Sequence, residues 1–116
     1  MKFDLEERTL KFAKSCIDLC KVVEKNIVNV ELVKQFMRAA CSIGANYREA
    51  NDTITKKDFL HKIGICRREA KESKYWLELI SHANPNLANK IEPLSDEALQ
   101  FARIFATISS GKKKKI

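Results

Sequence analysis

The sequence predicts an all-α fold, an antiparallel up-down bundle of four helices in one domain, and three observations carry that expectation. Only three glycines and two prolines occur in 116 residues. Period-two runs of β-branched residues are missing, and apolar residues recur at intervals of three and four through most of the chain. A chain of this length buries a core without disulfides or a bound metal as staples.

The first helix is expected to open at Asp4, whose carboxylate can cap the free amides of the first turn while Glu7 reaches back. Leu5, Phe12, Cys16, Leu19 and Val23 then share one face. After Asn26 and Asn29, a second helix carries Leu32, Phe36, Ala39, Ile43, Tyr47 and Ala50 on the same rhythm, until Asn51, Asp52 and Thr53 break it. Thr55, followed by Asp58, caps the third helix, where Phe59, Ile63, Cys66, Ala70, Ser73, Leu77 and Ile80 form a four-three repeat of the kind that packs in a left-handed bundle. The run HANPNLANKIEP, with Pro85 and Pro93, reads as the longest linker, so that the fourth helix starts after a cap at Ser95. Its seam is Leu94, Ala98, Phe101, Phe105 and Ile108, and Gly111 stops it. The organisation expected is a bundle over residues 1–110 and a basic disordered tail over 111–116.

Each helix also carries a second apolar set: Ala13, Ile17 and Cys20, then Val33, Met37 and Ala40, then Trp76 and Leu79, and last Leu99, Ala102 and Ile104. One stripe per helix suffices for a monomeric bundle, so this surplus either widens a compact core or is covered by further copies of the chain.

The net charge is +7, but Lys112, Lys113, Lys114 and Lys115 supply four of those charges and leave +3 for the rest. The tail can reach an anionic partner or serve solubility alone. Arg67, Arg68, Lys71 and Lys74 crowd one part of the third helix and could contact phosphates, although ordinary surface pairing of Arg68 with Glu72, and of Lys71 and Lys74 with Glu78, is the simpler explanation of them. Asn46, Glu49, Glu69 and Glu72 fall close to the seams, where they need partners; they make either a polar network that fixes register or, less simply, a ligand cleft.

Enzymatic and metal chemistry find little support. A carboxylate-bridged di-metal bundle needs two Glu-x-x-His pairs, yet only Asp58 and His61 have comparable spacing, and His82 lies about 30 Å further along the same helix. No Ser, Cys or Thr has a histidine beside it by periodicity, and no glycine-rich loop cradles phosphate. No catalytic residue, metal ligand or cofactor is therefore expected. The four cysteines, Cys16, Cys20, Cys41 and Cys66, sit in apolar-periodic stretches, form no Cys-x-x-Cys pair and read as reduced core residues, all four expected inside the bundle. With no export signal and no run of roughly 20 uncharged residues, a cytoplasmic protein without membrane contact is expected.

Two stretches, SIGANYREA at Ser42 to Ala50 and FLHKIGICRREAKESKYWLELI at Phe59 to Ile80, resemble the signatures of the four-helix-bundle family encoded in intervening sequences of bacterial large-subunit ribosomal RNA genes. Its patterns, S-x-GAN-x-x-EA and E-A-x-E-x-x-Y-W-L, match at Ser42, Gly44, Ala45, Asn46, Glu49, Ala50, Glu69, Ala70, Glu72, Tyr75, Trp76 and Leu77. The resemblance covers all four helices and implies an up-down bundle that assembles into a ring, in similar proteins a homopentamer. The family in turn resembles the accessory variability proteins of diversity-generating retroelements, basic pentamers that bind nucleic acid and a reverse transcriptase. Gly44 and Ala45 would permit close helix approach, while Tyr75 and Trp76 supply contact area. The sequence departs from the pattern at Tyr47 and Arg48, where similar proteins often carry a small or aliphatic pair.

The leading expectation is thus a non-enzymatic homo-oligomer that binds RNA or DNA through its basic surfaces and tail. The alternatives are a scaffold that recruits a protein partner without nucleic acid, and a small-molecule or metal site around Glu49, Glu69 and Glu72.

Overall fold

A computed structural model describes residues 4–110, which form four helices and one 3-10 turn. Helix α1 (Leu5–Val22) is capped by Asp4, whose carboxylate accepts from the amides of Glu6 and Glu7 at 3.0 and 3.3 Å. The side chain of Asn26 accepts from the Asn29 amide at 2.8 Å and so starts α2 (Ile27–Asn51). Thr55 does the same for α3 (Lys56–Ala83) through the Asp58 amide at 3.1 Å. The boundaries of these three helices follow the capping chemistry visible in the sequence.

The connection between α3 and α4 differs from the expected linker. After Asn84 comes a single 3-10 turn, Pro85–Leu87, and α4 (Ala88–Ser110) begins seven residues before Ser95, with Pro93 inside it. A proline in a helix deletes one intrahelical bond, here the one to the Asn89 carbonyl, and Asn89 is exposed. Leu87 and Ile91, at 7 and 3% exposure, dock this early turn on the core, and burying two such side chains is worth about 1.5–3 kcal/mol each. That gain exceeds the penalty of roughly 3 kcal/mol for an interior proline.

Neighbouring helices in the chain are neighbours in space, and α4 returns to α1, while the diagonal pair α2 and α4 touches through the Tyr47 and Phe105 rings, whose centres are 5.8 Å apart. Pairing of the start of α1 with the end of α2, through Asn51 to Glu6 at 2.9 Å, and of Glu49 with Lys62 at 2.6 Å, shows the antiparallel sense. The expected seams lie inside. Phe12, Cys16, Phe36, Ile43, Ile63, Cys66, Leu77, Phe101 and Phe105 are all at most 3% exposed. Thr9 completes the α1 seam. It is fully buried, its hydroxyl donates to the Leu5 carbonyl at 2.8 Å, and it faces Gly44, where an added Cβ would lie 2.9 Å from the Thr9 Oγ1. Gly44 therefore allows close helix approach within the chain, between α1 and α2.

The second apolar set has a mixed fate. Ala40 is buried, Ile17 is 40% exposed, and the remaining members are half-buried. Most exposed large apolar side chains, Leu10, Ile17, Val22, Ile27, Val28 and Val30, lie on α1 and around the α1–α2 connection, while Ile54 and Tyr75 are exposed elsewhere. At that same end, Asn29 and Asn84 exchange side-chain amide hydrogen bonds of 3.0 and 2.9 Å while buried, and each also donates to a backbone carbonyl, of Glu24 and Ile80. No helix among the described residues is long and apolar enough to cross a membrane.

Candidate functional site

The α3 repeat buries one face and leaves the residues at Gly64, Arg67, Arg68, Lys71 and Tyr75 on the opposite side, beside Gln35 and Arg38 of α2. Together with Glu72 and Trp76 they line an open groove of about 830 Å³. Its chemistry is that of a cationic channel with an aromatic end.

The charges within it are unequally engaged. Arg38 reaches across from α2 to both acidic residues of the α3 motif, donating to Glu72 at 2.8 Å and lying 3.5 Å from Glu69. Arg68 stands 4.0 Å from Glu69, a weak pair. Lys74 is held by Glu78 at 2.6 Å, one helical turn away, as the spacing suggested. Arg67 and Lys71 are exposed and have no ion-pair or hydrogen-bond partner among the described residues. Exposed pairs of this kind contribute little to stability, at most about 1 kcal/mol each, so Arg67, Arg68 and Lys71 are available to an anion at little structural cost.

The four motif polar residues divide into two places rather than one network. Glu69, 5% exposed, and Glu72 share Arg38, whereas Glu49 is exposed on Lys62. The Asn46 side chain donates to the Ser42 carbonyl of its own helix at 2.9 Å. No metal-binding group of three or more His, Cys, Asp or Glu side chains occurs among the described residues. One oxygen of Glu69 and the indole nitrogen of Trp76 are buried without a hydrogen bond, and unmet groups of this sort each cost about 1–3 kcal/mol.

Tyr75 is 55% exposed and packs edge-on against Trp76, ring centres 5.2 Å apart at 70°. Trp76 in turn is half-buried against the core. Ala45 faces outward, and Lys112 to Lys115 lie outside the described residues. Sequence reasoning missed Arg38, Gln35 and Gly64 as parts of the groove. The isolated glycine inside a strong helical pattern was the signal for Gly64, while nothing in the spacing ties Arg38 to residues 31 and 34 positions later.

Burial controls the thiols. It pushes the Cys16 thiol well above the ordinary range, Cys20 to about 11 and Cys66 to about 12, and only Cys41 is exposed. None of these cysteines lines the groove.

With that geometry in place, comparison with known proteins is informative. The family model of the 23S rRNA-intervening sequence protein matches residues 1–107. A crystal structure at 1.70 Å of a protein of unknown function from the S23 ribosomal protein family of Bacteroides thetaiotaomicron is similar, with a TM-score of 0.80 and 27% identity. That match covers 91% of this chain and 98% of the other. No curated protein matches.

Proposed function

The chain belongs to the 23S rRNA-intervening sequence protein family, and from its surface we propose that it acts as a non-enzymatic homo-oligomer, a pentameric ring, that binds RNA or DNA. The observation that carries this is the groove of α2 and α3, where Arg67 and Lys71 lie unpaired beside Arg68, next to an exposed aromatic ring. Phosphates are the natural partners of such a set, because forked guanidinium donors and a mobile ammonium replace condensed counterions. The exposed apolar residues of α1 and its connection to α2 supply the surface for self-association. A ring would repeat each groove and each Lys112 to Lys115 tail around one axis, and simultaneous engagement raises the effective concentration of every further contact.

Affinity for a mixed RNA pool should fall steeply as salt rises, with a negative slope of log affinity against log salt that grows with each phosphate neutralised. It should also weaken on deletion of Lys112 to Ile116. Binding indifferent to both would contradict the reading. The protein scaffold is the second reading, favoured by Ile27 and Ile54 at 86 and 95% exposure and by a charge of only +3 outside the tail. Recovery of the same protein partner after nuclease treatment would favour the scaffold.

A further inference from the structure

Gly64 sits in the interior of a 28-residue helix, more than two turns from its start, a position where glycine is destabilising relative to alanine. It does not admit a neighbouring helix, since a Cβ built there meets nothing within 4 Å. What its missing side chain provides is room in the groove, at the end away from Tyr75. Along one exposed ridge the chain thus places an open floor at Gly64, two unpaired cations at Arg67 and Lys71, and an exposed ring at Tyr75. Tyr75 follows Lys71 by one helical turn and is braced by Trp76. Lys71 and Tyr75 also border a second, smaller hollow between α3 and α4 that is lined by Ala70, Ala98 and Ala102, so the ring projects from a ridge with space on both sides.

We propose that the groove takes a single-stranded segment of RNA or DNA, with phosphates on Arg67 and Lys71 and one unpaired base stacked on Tyr75. This rests on the nucleic-acid reading above and narrows it. A base inside a duplex has its faces covered by its neighbours, whereas an unpaired base offers a free face to a ring, and such stacking tolerates any sequence. A protein helix in the groove would meet the uncompensated positive charge of Arg67 and Lys71.

Trp76 is the only tryptophan in the sequence and lines the groove, so its emission reports occupancy. The test titrates full-length protein with a thymidine dodecamer and with a hairpin duplex of equal charge at one salt concentration, for the native chain, Tyr75→Ala and Tyr75→Phe. Expected are a change in Trp76 emission with the dodecamer, a loss of affinity on the order of ten-fold for Tyr75→Ala on the single strand, near-native binding by Tyr75→Phe, and unchanged duplex affinity. Equal losses on both ligands, or none on either, would overturn the stacking role while leaving nucleic-acid binding intact. Binding without a change in emission would place the strand elsewhere and overturn the site. Emission that follows protein concentration but ignores oligonucleotide would mean that another copy fills the groove. No binding of either ligand would overturn both readings together.

Discussion

Two glycines in two long helices should respond to the same substitution with opposite signs. Replacing a helix-interior glycine by alanine gains about 0.8–1 kcal/mol of helix propensity when the new methyl group meets nothing. That is the situation of Gly64, whose Cβ would find open space. At Gly44 the same methyl group would lie 2.9 Å from the Thr9 hydroxyl oxygen and 3.2 Å from its Cβ. Thr9 cannot yield, because it is fully buried and its hydroxyl is committed to the Leu5 carbonyl at 2.8 Å. Helix α1 must then move off α2, an overpacking cost of about 1–3 kcal/mol that outweighs the propensity gain. With about 4 °C per kcal/mol for a domain of this size, Gly64→Ala should melt about 3–4 °C higher than the native chain, and Gly44→Ala several degrees lower. Circular-dichroism melts at one fixed protomer concentration would measure both, since oligomerisation makes the midpoint concentration-dependent. Thr9→Ala should cost less in the Gly44→Ala background than alone, because the clash has already disturbed its site. A Gly44→Ala protein as stable as the native chain would refute the close seating of α1 on α2 at Thr9.

Other consequences concern buried polar groups, thiols and the α1–α4 seam. Asn84→Ala leaves the Asn29 amide buried without its partner and should lower the unfolding free energy by about 1–3 kcal/mol in urea titrations. At pH 8 a thiol-specific aromatic disulfide should label Cys41 at once, and Cys16 and Cys66 only on unfolding, because burial keeps the latter two protonated. Their raised values also set a sign: the buried thiols leave stability intact below about pH 9, the ordinary value. Above it, stability falls as unfolded thiols ionise and folded ones do not, a loss from Cys66 that levels off near pH 12. Cys66→Ala should show a shallower decline over that window. Arg8 joins α1 to α4 with paired bonds of 2.6 and 2.7 Å to Glu97 and lies 5.1 Å over the Phe101 ring. Its loss in Arg8→Ala should cost about 1 kcal/mol, and Arg8→Lys should recover little of it, since lysine lacks the fork.

The helical seams were legible because one residue type, apolar, at one spacing decides them. Every α3 position from Ile63 to Ile80 read from the four-three repeat is buried. The α4 start was not legible. Proline reads as a breaker, and only the burial of Leu87 and Ile91 in the core reveals that Pro93 is tolerated. The Asn29–Asn84 clasp joins residues 55 apart, and Arg38 reaches Glu72 over 34; no local pattern announces either pairing. For the groove, Arg67, Arg68 and Lys71 were visible together with Lys74 as a basic cluster on one helix, but Lys74 does not line it, and Tyr75 and Trp76 were legible only as contact area. Spacing alone did not decide the pairings: Glu78 holds Lys74 rather than Lys71, and Arg38 takes Glu72, so that Arg68 keeps only a 4.0 Å pair with Glu69.

If unpaired cations on α3 hold nucleic acid on an oligomer, light scattering in line with size exclusion, with total RNA at low and at high salt, should separate the native chain from Arg67→Glu/Lys71→Glu. The native oligomer should shift to larger mass with RNA only at low salt, and the variant, of unchanged subunit number and melting temperature, should not shift. An oligomer indifferent to RNA, or a variant that shifts as far as the native chain, would contradict binding by those cations.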